Sequence, residues 1–419
     1  MLEFMDYVQN AFYVASNWHK DNSYGSLTAT SQALLDFQTP TGLRFSLSSL
    51  SSPTFATSYT LRSVGLVDGS LSYLYSSLPL SVPCSSSLLN LRHIIPGYRH
   101  LQDLHRPDEP WWWEVWQGGK RIDRRDALLY GRLFLPKSTL EGLYLRRLSP
   151  RSQVNVRCVS DSRLPNGGSM LALLQHDRGK FSTEYLYSTD SALLGVRGLY
   201  NFGPDPPEHV HDRPQQSLSQ GLDTAEPLSP NIPSSSSISL QSLPAGRLSV
   251  GGECYFSPLN KSGGISTGLR FSTLPRHTGF PYTMTLTLNP LMGNLSSSYS
   301  VVASPLLALS TRFDFNVYSY ESDFVVGMEL WRLKEEPIDE MEWAKRKMGK
   351  LKQLVKGERA GQSERVAGVL KARMDQSGTI GFLWEGRIKE LLYSCGVNVD
   401  LKGGENLVRG LGVEMCYSS

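Results

Sequence analysis

Hydrophobic and polar residues alternate one by one along most of this chain, the two-residue period of strands with one apolar and one polar face. Leu43, Phe45 and Leu47 alternate with Arg44, Ser46 and Ser48. Phe55, Thr57, Tyr59 and Leu61 then alternate with Ala56, Ser58, Thr60 and Arg62, after a turn at Ser51-Ser52-Pro53. The pattern is read from residue 32 and returns in longer runs. Tyr282, Met284, Leu286 and Leu288 oppose Thr283, Thr285 and Thr287, while Leu309, Phe313 and Phe315 oppose Ser310, Arg312 and Asp314. Segments of this kind number about nineteen, each close to the roughly 9–11 residues that cross a bilayer at a tilt. A weak further strand over Ser87–Ile94 would make the number even.

This spacing predicts an all-β chain: an N-terminal segment over 1–31, then a barrel over 32–419 with long connections at 77–125, 203–245 and 334–377. The three connections follow the fourth, tenth and sixteenth of the strands so read. All are even, so an up-and-down meander puts them on one side, with short turns on the other, as in membrane barrels. A soluble sandwich or propeller alternates in the same way with its apolar side turned inward. Strand length, the continuous meander and charges inside strands favour the membrane reading.

The long connections differ in character. The first holds Trp111, Trp112, Trp113 and Trp116 beside Gly118-Gly119-Lys120. It reads either as a loop folded over the barrel mouth with its indoles buried, or as an aromatic anchor for a partner, since Trp and Tyr dominate interface hot spots. The second is rich in Pro, Ser and Gln and reads as disordered. The third has helical spacing, Met341, Ala344, Met348, Leu351 and Val355, among many Lys and Arg. That pattern suits a solvated helix or one docked on anionic headgroups or an acidic partner.

Composition adds little beyond strand-and-turn flavour. A net charge of +3 gives no footprint for nucleic acid, which needs a clustered basic patch. Cys84, Cys158, Cys254, Cys395 and Cys416 lack metal-ligand spacing and read as free thiols. The acidic residues Glu3 and Asp6, with no Lys or Arg before Lys20, argue against a secretory signal or a transit peptide. No run reaches the roughly 18 apolar residues of a membrane helix, so a crossing requires a closed barrel. Enzyme constellations are missing: there is no nucleophile elbow, phosphate loop, zinc-protease helix or dinucleotide fingerprint. The one close histidine pair, His209 and His211, falls in the Pro-rich connection. Arg197, Glu253, Arg270, Arg312, Asp314 and Glu329 lie on polar strand faces and read as lumen-lining groups. No catalytic, cofactor or metal residue is assigned.

Several blocks, LEFMDYVQNAFY, SNWHKDNSY, SLSYLYSSLPL, EPWWWEVWQGGKRIDR, YGRLFLP, LEGLYLRRLSP and LGVEMCYSS, resemble the fungal family called mitochondrial distribution and morphology protein 10, from Met1 to Ser419. The resemblance implies a nineteen-stranded porin-like barrel of the mitochondrial outer membrane whose first and last strands pair in parallel. It also implies an N-terminal segment in the lumen, for which Leu2, Met5, Val8 and Phe12 suit a plug helix. Two memberships come with it. One is the sorting and assembly machinery, with its central barrel, which inserts β-barrels. The other is the endoplasmic reticulum–mitochondria encounter structure, where the barrel anchors lipid-transfer subunits at the contact site. Mitochondrial barrels end in a β-signal, polar-x-Gly-x-x-hydrophobic-x-hydrophobic, matched by Gly412, Met415 and Tyr417; its polar position holds Gly410 instead. Tyr73 and Tyr75, on the apolar side of the fourth strand so read, are expected to join a partner-docking surface or an interfacial girdle.

The sequence thus favours a non-catalytic scaffold surrounded by membrane lipids. A general diffusion channel is the alternative, because a barrel of this strand number encloses a wide lumen that only a plug closes. A soluble all-β domain is the third reading.

Overall fold

The computed structural model describes residues 1–64, 66–80, 83–104, 114–117, 120–123, 126–164, 167–203, 246–275, 277–333, 366–402 and 408–419. Helix α1 (Phe4–Ala15), a short 3-10 turn (Tyr24–Ser26) and helix α2 (Ala29–Leu35) come first. Strands β1 (Gly42–Ser52), β2 (Phe55–Val64) and β3 (Leu66–Ser76) open the barrel. Helix α3 (Leu91–Ile94) and a detached hairpin of β4 (Glu114–Gln117) and β5 (Lys120–Asp123) follow. The barrel resumes with β6 (Ala127–Leu135), β7 (Thr139–Ser149), β8 (Ser152–Ser160), β9 (Gly168–Asp177), β10 (Phe181–Ser188) and β11 (Leu193–Phe202). Next come β12 (Gly246–Ser257), β13 (Ser262–Thr273), β14 (Tyr282–Asn289), β15 (Asn294–Ser304), β16 (Leu307–Asn316) and β17 (Ser322–Leu333). It ends with β18 (Val366–Asp375), β19 (Thr379–Ile388), β20 (Leu391–Asp400) and β21 (Val408–Ser418).

Nineteen strands form one sheet, each pairing antiparallel with its sequence neighbour, and β1 pairs with β21 to close the ring. In an odd-numbered meander the first and last strands run the same way, so the closing pair has to be parallel, and it is. Closure leaves no open edge, the condition for strands to exist in lipid. Outward faces carry Leu43, Phe45, Leu61, Tyr185, Phe256, Met284 and Phe313, all exposed. Inward faces carry buried Ser46, Ser58, Ser72, Thr285, Ser298 and Ser310, paired in hydroxyl rows such as Ser48–Ser58 at 2.8 Å and Ser300–Ser310 at 2.8 Å. The apolar side therefore faces out, opposite to a soluble sandwich. Among the described residues no helix is long and apolar enough to cross a membrane.

Several sequence expectations are corrected. The alternation does not start at residue 32: residues 29–35 form α2, and the first strand begins at Gly42. The third connection does not run to 377, because Val366–Asp375 is β18, paired along β17 and β19. The long connections accordingly leave after the third, ninth and fifteenth barrel strands, still on one rim, here termed the loop rim. The weak strand at Ser87–Ile94 is α3 and its approach. The basic helical pattern over 341–356, His209 and His211 lie outside the described residues.

Candidate functional site: the closing seam and the occupied lumen

Helix α1 lies inside the barrel. Met5, Val8 and Phe12, spaced three and four apart, share one buried face. They pack on Ala56, Leu74, Leu128 and Leu145, inward positions of β2, β3, β6 and β7 that are apolar where α1 rests. Its entry is pinned by charge: Glu3 accepts from Arg44 at 2.5 Å and Arg132 at 2.9 Å, and Arg44 also meets Glu414 at 3.5 Å. Burial pushes the Glu3 carboxyl up, but Arg132 and Arg44 outweigh it and hold it below the usual range. Leu2 donates its backbone N–H to Ile94 at 2.9 Å, tying the N-terminal segment to α3.

Helix α2 crosses the opposite inner wall. Leu34 and Leu35 are fully buried, and Gly327 of β17 makes room, since a Cβ there would lie 2.7 Å from the Leu35 side chain. Arg373 donates to the Leu35 carbonyl at 3.1 Å and Lys371 to that of Ala33 at 3.4 Å, placing cations at the negative helix end.

Residues 83–104 of the first long connection also turn inward, forming a strap that sequence reasoning missed. Leu89, Leu91, Ile94 and Ile95 are buried against Trp331, Val369 and Leu392. Wall side chains hold its backbone: Arg387 donates to the carbonyls of Ser87 at 2.8 Å and Leu89 at 2.9 Å, Arg247 to Gln102 at 3.0 Å, and Lys371 to Pro96. The described part of the loop that enters the mouth is therefore this leucine-rich stretch. In the strap, burial and the nearby Arg92 guanidinium hold the His100 imidazole below its usual value. A cavity of about 1140 Å³ remains at the loop rim, bordered by Trp18, Lys20, Arg92, Arg99, Arg247 and Glu329.

The mid-strand charges lie inside as the alternation implies. Arg197 meets Glu253 at 3.1 Å and Glu184 at 3.7 Å; Arg312 meets Asp36 at 2.6 Å and Asp314 at 3.0 Å. Arg270 donates to the Ser26 carbonyl at 3.1 Å, and Glu329 accepts from the Trp331 indole.

At the seam, Gly42 to Ser48 pair with Gly412 to Ser418. Gly412 also faces Gly396 across the last hairpin. Residues 39–41 run over this bare patch before entering β1. A Cβ on Gly412 would overlap the Pro40 carbonyl and lie 2.7 Å from the Thr41 nitrogen, and one on Gly396 would lie 2.7 Å from Pro40 Cδ. Asn398 donates to Thr39 Oγ1 at 2.5 Å. Gly412 is thus a seat for the incoming chain as well as part of the terminal motif. Met415 projects outward, Cys416 inward beneath the N-terminal segment, and Tyr417 pairs with Leu47.

Tyr73 and Tyr75 lie on the third barrel strand, not the fourth, and point outward with 45% and 48% of their surface exposed. Tyr75 pairs with Phe55 beside the β1–β2 turn, at the loop rim, and Tyr73 stacks on Phe55 with ring centres 6.0 Å apart. Trp116 lies in β4, opposite Arg121 in the hairpin register. Trp111, Trp112 and Trp113 lie outside the described residues.

The family model for mitochondrial distribution and morphology protein 10 matches residues 1–360 and 339–419. A protein of that name from Phaeosphaeria nodorum is 58% identical over 421 residues, covering 100% of both chains. One from Sclerotinia sclerotiorum is 56% identical and one from Podospora anserina 43% identical, each again covering 100% of both chains.

Proposed function

The chain belongs to the mitochondrial distribution and morphology protein 10 family, and from that membership we propose that it is a non-catalytic barrel of the mitochondrial outer membrane acting in mitochondrial distribution and morphology. More finely, it serves as a subunit of the endoplasmic reticulum–mitochondria encounter structure, anchoring lipid-transfer subunits. It also joins the sorting and assembly machinery beside that machine's central barrel. Gly412, Met415 and Tyr417 act as its insertion signal. Tyr73 and Tyr75, with the tryptophans of the first long connection, offer the docking surface on the loop rim.

The observation that supports a scaffold over a diffusion channel is the occupied lumen. Helix α1, helix α2 and the strap are all bound to the wall by ion pairs and charge-assisted hydrogen bonds. Pulling them out would strip Lys371 of the Ala33 and Pro96 carbonyls and open the buried faces of Leu34, Leu35, Ile94 and Ile95 to water, a cost that a freely open pore would have to bear. Native purification from gently solubilised mitochondria tests the reading. Co-purification of barrel-assembly and tethering subunits is expected; recovery of the barrel without either, together with steady conductance in planar bilayers, would favour the channel.

A further inference from the structure

Short turns join the strands at the rim opposite the long connections. Six of them contrast sharply, while the turns after β8 and β20 carry, among the described residues, a single exposed leucine each, Leu164 and Leu401. The turns after β6, β10 and β18 are polar, with Lys137 and Ser138, Asp190 and Ser191, and Gln376 and Ser377. The turns after β12, β14 and β16, three neighbours along one sector, carry Leu259, Leu291, Met292, Val317, Tyr318 and Tyr320. These side chains stand in the open: Leu291 is 54% exposed, Met292 61% and Tyr320 80%.

The patch is built rather than frayed. Tyr318 donates its hydroxyl to the Pro290 carbonyl at 2.8 Å, and its ring lies over Gly293, where a Cβ would approach to 2.6 Å. Val317 donates its N–H to Gly293 at 2.8 Å, and Asn316 Nδ2 reaches the Met292 carbonyl at 3.3 Å. Gly293 takes a left-handed φ of 68°, which costs glycine nothing. Tyr320 takes one of 59°, which a tyrosine adopts only at some cost, and it leaves the ring projecting.

We infer that these three turns form a membrane anchor, seated at the boundary between lipid headgroups and acyl chains. Continuity identifies the occupant. Leu288 of β14, Phe313 of β16 and Phe324 of β17 belong to the outward apolar band and lead straight into these turns. An apolar patch joined to a lipid-facing wall is an extension of that wall, and tyrosine suits the level where one end of the ring is dry and the other wet. The apolar band is therefore taller in this sector than above the polar turns. The barrel accommodates the difference by tilt or by locally thickening the leaflet. The inference rests on the reading of the chain as a membrane barrel.

Photo-crosslinking in isolated mitochondria tests it with the full chain. A benzophenone-bearing amino acid is placed singly at Leu291, Met292 and Tyr320, at Leu286 in the lipid-facing wall, and at Ser377 in a polar turn. Carbonate-resistant integration is checked for each, and three turn positions guard against one that fails to insert. Phospholipid adducts found by mass spectrometry are expected at the three turn positions, as abundant as at Leu286, with none at Ser377. Protein adducts, or none, at the turns while Leu286 still captures lipid would overturn the anchor. Loss of lipid adducts at Leu286 as well would instead strike at the membrane reading beneath it.

Discussion

Strands β12 and β13 face each other over twelve antiparallel pairs, whereas β1 and β21 close the barrel over seven parallel ones. Parallel ladders are slanted and slightly weaker per residue, so the seam is the thinner part of the wall by both length and geometry. The N-terminal segment touches both walls, since Arg270 of β13 donates to the Ser26 carbonyl and the Tyr24 hydroxyl lies 2.8 Å from Ser266 Oγ. At the seam, however, its contacts accompany a much shorter ladder. Arg44 links Glu414 to Glu3, residues 39–41 lie across Gly396 and Gly412, and Ser86 donates its N–H to the Ser418 carbonyl at 3.0 Å. Closure thus leans on side chains and the N-terminal segment to supplement a seven-pair parallel ladder, whereas β12–β13 has such contacts on top of twelve antiparallel pairs.

The largest expected effect comes from glycines on the two walls. Gly412→Val drives a branched side chain into the backbone of Pro40 and Thr41, where overpacking costs about 1–3 kcal/mol or more. Gly252→Ala on β12 meets only Ser266 O at 3.5 Å and Thr267 Cγ2 at 3.8 Å. Import of radiolabelled chains into isolated mitochondria, scored by carbonate resistance, should show loss for the first and near-normal integration for the second. Equal integration of both would remove the seam's special status.

Charge at the seam gives the next contrast. Met415→Asp places an acid on the outward face, at less than the about 2–4 kcal/mol that a Lys or Arg costs near the midplane, and less again toward the rim. Glu414→Gln keeps an acceptor for Arg44 on the inner face and should be nearly silent. The same import assay decides the pair, and comparable losses would mean that β21 does not present Met415 to lipid.

Docking is expected to map to the seam side as well. Tyr73→Ala with Tyr75→Ala removes two outward rings without touching the lumen, so the barrel should insert while tethering subunits co-purify less. Unchanged co-purification would leave these residues as an interfacial girdle.

The wall was far more legible in the sequence than the lumen. Period two survives in most long strands because outward residues answer to lipid and most inward ones to a polar lumen. It blurs where inward Leu128 and Leu145 meet α1. The strand total agrees with the structure through two opposite misreadings. Leu34 and Leu35 lie in a helix too short to declare its period, so the segment reads as an extra strand. In β18 the inward Lys371 and Arg373 alternate with Leu370 and Ala372, and their charge blends with the basic stretch before it, so the segment reads as part of the connection. The extra strand displaces all three long connections by one strand together, so they still share one rim in the sequence pattern. The strap has no pattern beyond the weak alternation over Ser87–Ile94, which points to a strand where α3 forms. Its signal was composition: Leu88, Leu89, Leu91, Ile94 and Ile95 crowd a connection that a solvated loop would not make so apolar. The close approach of residues 39–41 to Gly412 joins segments too distant in sequence for any local pattern to show.

The smallest expected effect is electrostatic and falls on the seam's attachment to α1. Glu3 is the acid between Arg44 and Arg132, and those two arginines hold its carboxyl below the usual value of 4.5 against the opposing effect of burial. A carboxyl depressed in the folded state stabilises at every pH above its unfolded value, and that stabilisation is lost as the pH falls through the folded one. Docking of α1 should therefore be constant near neutrality and weaken only below about pH 4.5. Asp6, in the first turn of α1, works the other way, since burial, with Glu3 adding to it, raises its carboxyl. Comparing wild type with Glu3→Gln isolates Glu3: the variant should be less stable near pH 7, and the gap should close as the pH drops. Thermal unfolding of the detergent-solubilised barrel, followed by intrinsic tryptophan fluorescence between pH 3 and pH 7, measures it. A gap that stays constant across that range would mean that Glu3 holds α1 by packing rather than by charge.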